Sequence, residues 1–123
     1  MKSESIIANK AYLFALDIIK LYKKLIEIRE YVLSKQLLRS GTSIGANVNE
    51  AVSAQSKRDF VHKLSISLKE ARETMYWLRL LNDSDYIAND EFKNTTNNCD
   101  EIIRILTKII LTTKQKYFAN TNS

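Results

Sequence analysis

The sequence predicts an all-α protein, an antiparallel up-down-up-down four-helix bundle forming a single domain over residues 1–123. Three observations lead there. Apolar residues recur at alternating steps of four and three through four separate segments, the spacing that keeps side chains on one helix face. The chain has no proline and two glycines, where average usage gives about six and nine. The turns of a many-stranded β-fold would therefore lack their usual residues. The connecting stretches are short, which makes consecutive helices antiparallel neighbours.

Helix one is expected over residues 4–28. Ile7, Ala11, Phe14, Ile18, Leu21, Leu25 and Ile28 form its main row, and Tyr12, Ile19 and Ile26 a second. Two rows make a stripe wider than a coiled-coil seam, so more than one helix must cover it. Ser34 offers an N-cap for helix two, over residues 35–54, with Leu37, Ser40, Ile44, Asn47 and Ala51 at helical spacing. Gly41 and Gly45 fall inside it, each costing roughly 1 kcal/mol against alanine. Ser40, Ser43, Ala46, Ala51, Ser53 and Ala54 make the same helix unusually small. Close backbone approach to a neighbour is the compensation this pattern predicts, and the polar residues around the glycines exclude a membrane dimer.

Ser56 and Asp59 read as a shortened capping box for helix three, residues 57–82, whose inner row is Phe60, Leu64, Ser67, Ala71, Met75 and Leu78. The cluster Asn82-Asp83-Ser84-Asp85 stops it without glycine or proline. Helix four, residues 90–117, carries Phe92, Cys99, Ile102, Leu106, Ile109 and Thr113, with Ile103, Ile110 and Tyr117 beside them. Lys114 and Lys116 suit its negative pole. Residues 119–123 are expected to fray.

Composition removes several functions. With 45% hydrophobic and 27% charged residues, the chain has the balance of a globular protein rather than a disordered one. One cysteine and one histidine leave no intramolecular disulfide and almost no zinc ligands, so neither metal nor cofactor is expected. No apolar run approaches the roughly 20 residues of a membrane span. The segment Met1–Ser5 lacks the pattern of a secretory leader, and the cytoplasm is the expected location. His62 is the single imidazole base available. Three residues separate it from Arg58, one fewer than the shortest spacing of helical-bundle ribonucleases. Glu70 and Glu73 lie one turn apart, but no Glu-x-x-His pair accompanies them. No glycine-rich phosphate loop occurs. The expectation is a protein that is not an enzyme.

Two blocks carry a resemblance. Leu37-Leu38-Arg39-Ser40-Gly41-Thr42-Ser43-Ile44-Gly45-Ala46-Asn47-Val48-Asn49-Glu50-Ala51 precedes Asp59-Phe60-x-x-Lys63-Leu64. Ser67-Leu68-Lys69-Glu70-Ala71-Arg72-Glu73-Thr74-Met75-Tyr76-Trp77-Leu78 follows. Together they resemble the bacterial four-helix-bundle family of proteins encoded in intervening sequences of 23S ribosomal RNA genes, often labelled S23 ribosomal protein. The resemblance covers nearly the whole chain. It implies an antiparallel bundle assembled as a homopentamer, and kinship with the accessory protein of diversity-generating retroelements, which pairs with a reverse transcriptase and has a basic surface. It implies no established activity. Many relatives have a proline after the isoleucine where this chain has Ile44-Gly45-Ala46-Asn47.

Three sets of residues stand out as candidates. Asn47 lies on the apolar row of helix two, where a polar residue can fix register and partner number; Glu50 and Glu73 are candidates to join it in a structural polar network. The alternative for Asn47 and Glu50 is a ligand or nucleic-acid contact. The net charge is +5 and uneven, with −4 over residues 84–101 and +4 over 102–123. On helix three, Arg58, His62, Ser65, Lys69, Arg72, Tyr76 and Arg79 follow at steps of four and three. Arg58, Lys69, Arg72 and Arg79 are the nucleic-acid-binding candidates, since such cations neutralise phosphates without reading sequence. The competing reading is a solvated face laced by pairs such as Asp59–Lys63 and Lys69–Glu73. Trp77 and Leu80, at an end that is apolar nearly all round, are candidates for an oligomer interface. The function expected is a homo-oligomeric adaptor or scaffold associated with RNA or DNA. The alternative is a scaffold that binds a partner protein and has no nucleic-acid role.

Overall fold

The computed structural model describes residues 2–118, and the tail expected to fray lies outside them. Four helices follow in order: α1 Lys2–Glu27, α2 Leu33–Val52, α3 Lys57–Asp83 and α4 Asn89–Tyr117. Each packs on its neighbour in sequence, and α4 closes the bundle against α1, the least extensive of the four contacts. The registers run in opposite senses. Ile18 and Ala11 of α1 meet Gly41 and Gly45 of α2. Ser40 and Ile44 of α2 meet Thr74 and Ser67 of α3. Ala71 and Lys57 of α3 meet Cys99 and Tyr117 of α4. Lys10 and Lys24 of α1 pair with Glu101 and Glu91 of α4. This is the antiparallel arrangement.

The core is the set of inner rows. Ile7 through Leu25 of the α1 row are buried, as are Leu64, Ala71 and Leu78 of α3 and Cys99, Ile102 and Leu106 of α4. Three expectations slip by one residue. In α3 the core position falls on Thr74, leaving Met75 half-buried. In α2 and α4 the reason is that strict seven-residue counting drifts from a real helix of 3.6 residues per turn. In α4 the core position falls on Ile110, leaving Ile109 half-buried. In α2 it falls on Val48, leaving Asn47 half-buried beside the seam rather than in it.

The helix ends show how a chain so poor in glycine turns. At the end of α1, the N–H of Glu30 donates to Leu25 O (2.9 Å) and that of Arg29 to Ile26 O (3.0 Å). At the end of α3, Tyr86 N donates to Leu81 O (2.8 Å) and Asp85 N to Asn82 O (3.0 Å). Both are Schellman motifs, which need a left-handed residue. Arg29 (φ 67°) and Asp85 (φ 65°) occupy that position in place of glycine. Ser34 does not cap α2, because the helix begins one residue earlier, at Leu33. The buried Glu30 carboxylate accepts from the N–H groups of Leu33 (3.2 Å) and Ser34 (2.6 Å) instead. Ser56 does cap α3, accepting from Asp59 N at 3.0 Å.

The small residues of α2 face both neighbours. A methyl added at Gly41 would lie 2.9 Å from Ile18 Cγ1 and Cγ2, whereas one at Gly45 would approach nothing nearer than Ala11 O at 3.4 Å. On the α3 side, Ser67 Oγ donates to Ile44 O (2.9 Å). Thr74 Oγ1 shares a hydrogen bond with Ser40 Oγ (2.9 Å). Every buried side-chain nitrogen and oxygen among the described residues has a partner.

These geometries separate two alanine substitutions that helix propensity treats alike. Gly41→Ala should destabilise by about 1–2 kcal/mol, because the buried, β-branched Ile18 cannot turn aside. Gly45→Ala should be neutral or stabilise by up to about 1 kcal/mol. Urea denaturation distinguishes the two, and equal effects would contradict the register. Arg29→Gly should raise the melting temperature by relieving the left-handed arginine.

Candidate nucleic-acid interface

The outer face of α3 carries the basic stripe. Phe60, Leu64, Ala71 and Leu78 point inward, so residues half a turn away must face water. Arg58, His62, Lys69, Arg72, Tyr76 and Arg79 are all exposed, and Ser65 is half-buried with its hydroxyl on Val61 O (2.8 Å). The guanidinium of Arg58 lies 5.5 Å from the Phe118 ring.

Two of the acids of α3, Glu70 and Glu73, are turned elsewhere. Arg39 of α2 reaches across to Glu70 (Nη1–Oε1 3.3 Å) and bonds Glu73 through Nη2. Trp77 Nε1 donates to the same Glu73 oxygen at 3.0 Å. The Glu73 carboxylate is held below its ordinary range, first by the indole N–H and then, against some burial, by Arg39. The expected pair Lys69–Glu73 does not form, and neither does Asp59–Lys63; Lys63 bonds Glu50 instead (3.0 Å). Arg58, Lys69, Arg72 and Arg79 have no ion pair among the described residues.

Asn47, Glu50 and Glu73 do not form one network. Asn47 Nδ2 donates to Ser43 O of its own helix (2.8 Å), Glu50 pairs with Lys63, and Glu73 with Arg39 and Trp77. The register explains the separation: Glu73 lies near the level of Ser40, two turns from Asn47. Trp77 is half-buried and packs edge-on to Tyr76, with centroids 5.2 Å apart and planes at 68°. Leu80 is also half-buried, while Leu78 and Leu81 are enclosed. Larger exposed apolar side chains occur on α1, where Leu13 is 51% and Leu16 40% exposed. They lie outside both rows read from the sequence, on the far side of the helix, which is why the apolar pattern did not include them.

Cys99 is buried, and desolvation pushes its thiol up to about 12, away from the reactive thiolate. No group of three or more His, Cys, Asp or Glu side chains is placed to hold a metal ion among the described residues. No helix among them is long and apolar enough to cross a membrane.

The model of the 23S rRNA-intervening sequence protein family matches residues 3–108. The chain belongs to this family. The matched range holds the whole of α2 and α3, including the Arg39 fork and the stripe. A crystal structure of a protein of unknown function from the S23 ribosomal protein family of Bacteroides thetaiotaomicron VPI-5482 is similar in fold and sequence. It superposes with a TM-score of 0.86 at 49% identity, covering 88% of this chain and 97% of its own. A comparison with curated proteins finds no match. Neither the family description nor the solved relative indicates an enzyme.

The Glu73–Trp77 bond gives the family fold an internal reporter, since Trp77 is the single tryptophan. A carboxylate held below its ordinary value of 4.5 adds stability above that pH and loses it as pH falls through the depressed value. Trp77 emission should therefore shift with a midpoint below 4.5, and Glu73→Gln should abolish the shift. A midpoint above 4.5 would contradict the bonding of Glu73.

Proposed function

We propose that this protein is a non-catalytic homo-oligomeric bundle that docks nucleic acid along the outer face of α3, serving as an adaptor or scaffold. The observation that carries the reading is the set of four exposed cations, Arg58, Lys69, Arg72 and Arg79, with no carboxylate partner among the described residues. Arg39 holds Glu70 and Glu73 toward α2, which leaves Lys69 and Arg72 without a carboxylate in contact among the described residues. The first and last cations of the stripe lie 21 positions apart, about 32 Å at 1.5 Å per residue, long enough to follow several phosphates. No base-reading element accompanies them, so affinity should be electrostatic and weakly selective for sequence.

The oligomer proposed is the homopentamer that the family resemblance implies. Its support in this chain is apolar surface beyond what one bundle covers: Leu13 and Leu16 on α1, with Trp77 and Leu80 half-buried on α3. Repeating a modest site around a ring would multiply affinity through avidity. The second reading, a protein-binding scaffold without a nucleic-acid role, draws on the exposed Tyr76 beside Trp77.

Titration of labelled RNA, single-stranded DNA and duplex DNA at low salt tests the docking. Binding should fall steeply as salt rises, and Arg72→Glu with Arg79→Glu should weaken it at least tenfold for unrelated sequences. Absence of binding below roughly 100 μM, the weak end of non-specific affinity, would hand the function to the protein-scaffold reading. Light scattering should give a mass several times the 14.2 kDa of one chain; a monomer at micromolar concentration would end the oligomer proposal.

A further inference from the structure

One end of the bundle has a groove that the stripe does not use. α1 and α4 pack least, and where α1 begins, α3 begins and α4 ends they enclose a cavity of about 370 Å³. Its base is apolar, made by the buried Phe60 with Ile105 and Ile109, both half-buried. Its rim is cationic. Lys57, Lys108 and Lys116 line it from α3 and α4, and all three are exposed.

These lysines have no ion pair among the described residues. Two of them sit over aromatic faces. The Lys57 ammonium lies 4.9 Å from the Tyr117 ring centre and 5.8 Å from that of Phe60, and Lys116 lies 5.4 Å from Tyr117. Glu4 lines the α1 side of the groove and has an interaction of its own. Among the described residues the rim still carries three positive groups against one negative.

An apolar base beneath a cationic rim selects for a ligand with both characters. A bare inorganic anion would leave Ile105, Ile109 and Phe60 against water. A neutral hydrocarbon would leave the ammoniums without a counter-charge, and a cation would be repelled by them. The volume lies at the small end of ligand pockets, which span roughly 300–1,000 Å³. It suits one single chain rather than a two-chain lipid.

We propose that this groove binds a small amphiphilic carboxylate, a single apolar chain of roughly ten carbons whose head group reaches Lys57, Lys108 and Lys116. The chain lies along Ile105 and Ile109, and the head meets the start of α3, where the helix dipole adds positive potential. The site is separate from Arg72 and Arg79, so it stands or falls independently of nucleic-acid docking.

The probe is decanoate, below its micelle concentration, followed by calorimetry and by amide shifts of the full chain. Decyltrimethylammonium and acetate serve as controls for the chain and for the charge. Decanoate should bind at one per chain, at least tenfold tighter than decyltrimethylammonium, and shift the amides of Thr112, Thr113 and Tyr117. Acetate should shift none of them. Lys57→Glu with Lys108→Glu changes two exposed residues; it should cost at least tenfold in decanoate affinity while the chain still unfolds in one cooperative transition. Arg72→Glu with Arg79→Glu should leave decanoate binding unaltered. Equal affinity for the two decyl compounds, shifts scattered over the surface, or full binding by the lysine variant would overturn the proposal. Displacement of decanoate by a short RNA that shifts the same amides would also overturn it, assigning the lysines to phosphates.

Discussion

The contact on which the other packing depends is that of Gly41 with Ile18. Only a residue without a Cβ fits there, since an added methyl would stand 2.9 Å from two carbons of a fully buried, stiff side chain. The contact sets how deeply α2 sits against α1. On its other side α2 offers Ser40 and the carbonyl of Ile44, which bond Thr74 and Ser67 of α3. A helix made small on both faces thus fixes the positions of its two neighbours. The entropic cost of two helical glycines, roughly 1 kcal/mol each, is set against that close packing and the hydrogen bonds beside it.

The same register decides the electrostatics of α3. Arg39 stands one residue before Ser40, level with the turn that holds Glu70 and Glu73, and it takes both carboxylates. Without it, Glu73 would have Lys69 one turn away as its nearest cation in sequence. Packing in the core therefore determines which charges remain on the outside. The stripe is a consequence of the α2–α3 register as much as of the residues that compose it.

The sequence made the four helices and most of the inner rows of α1 and α3 legible, because burial on one face leaves a periodic trace; Tyr12 and Ile28 are exposed and Met75 is half-buried. It also exposed the small face of α2, whose predicted close approach is met at Gly41. Periodicity could not place Asn47, since a difference of one residue between a strict heptad and a true helical turn moves the core position to Val48. It could not find the Arg39 fork either, because the partners are 31 and 34 positions away and local spacing favoured Lys69–Glu73. Glu30 as the cap of α2 was hidden for a similar reason: capping patterns seek a small polar residue next to the helix, whereas here a longer carboxylate folds back across a turn.

The central claim is that Arg39 keeps Glu70 and Glu73 away from the stripe. The most direct measurement compares RNA affinity at low salt for wild type, Arg39→Ala, and Arg39→Ala combined with Glu70→Gln and Glu73→Gln. The released carboxylates should neutralise Lys69 and Arg72 in the single variant and weaken binding about tenfold, the scale of one or two lost phosphate contacts. Removing their charge should restore wild-type affinity, although Arg39 is still missing. Unchanged binding in the single variant, or a triple variant no tighter than the single, would contradict the account.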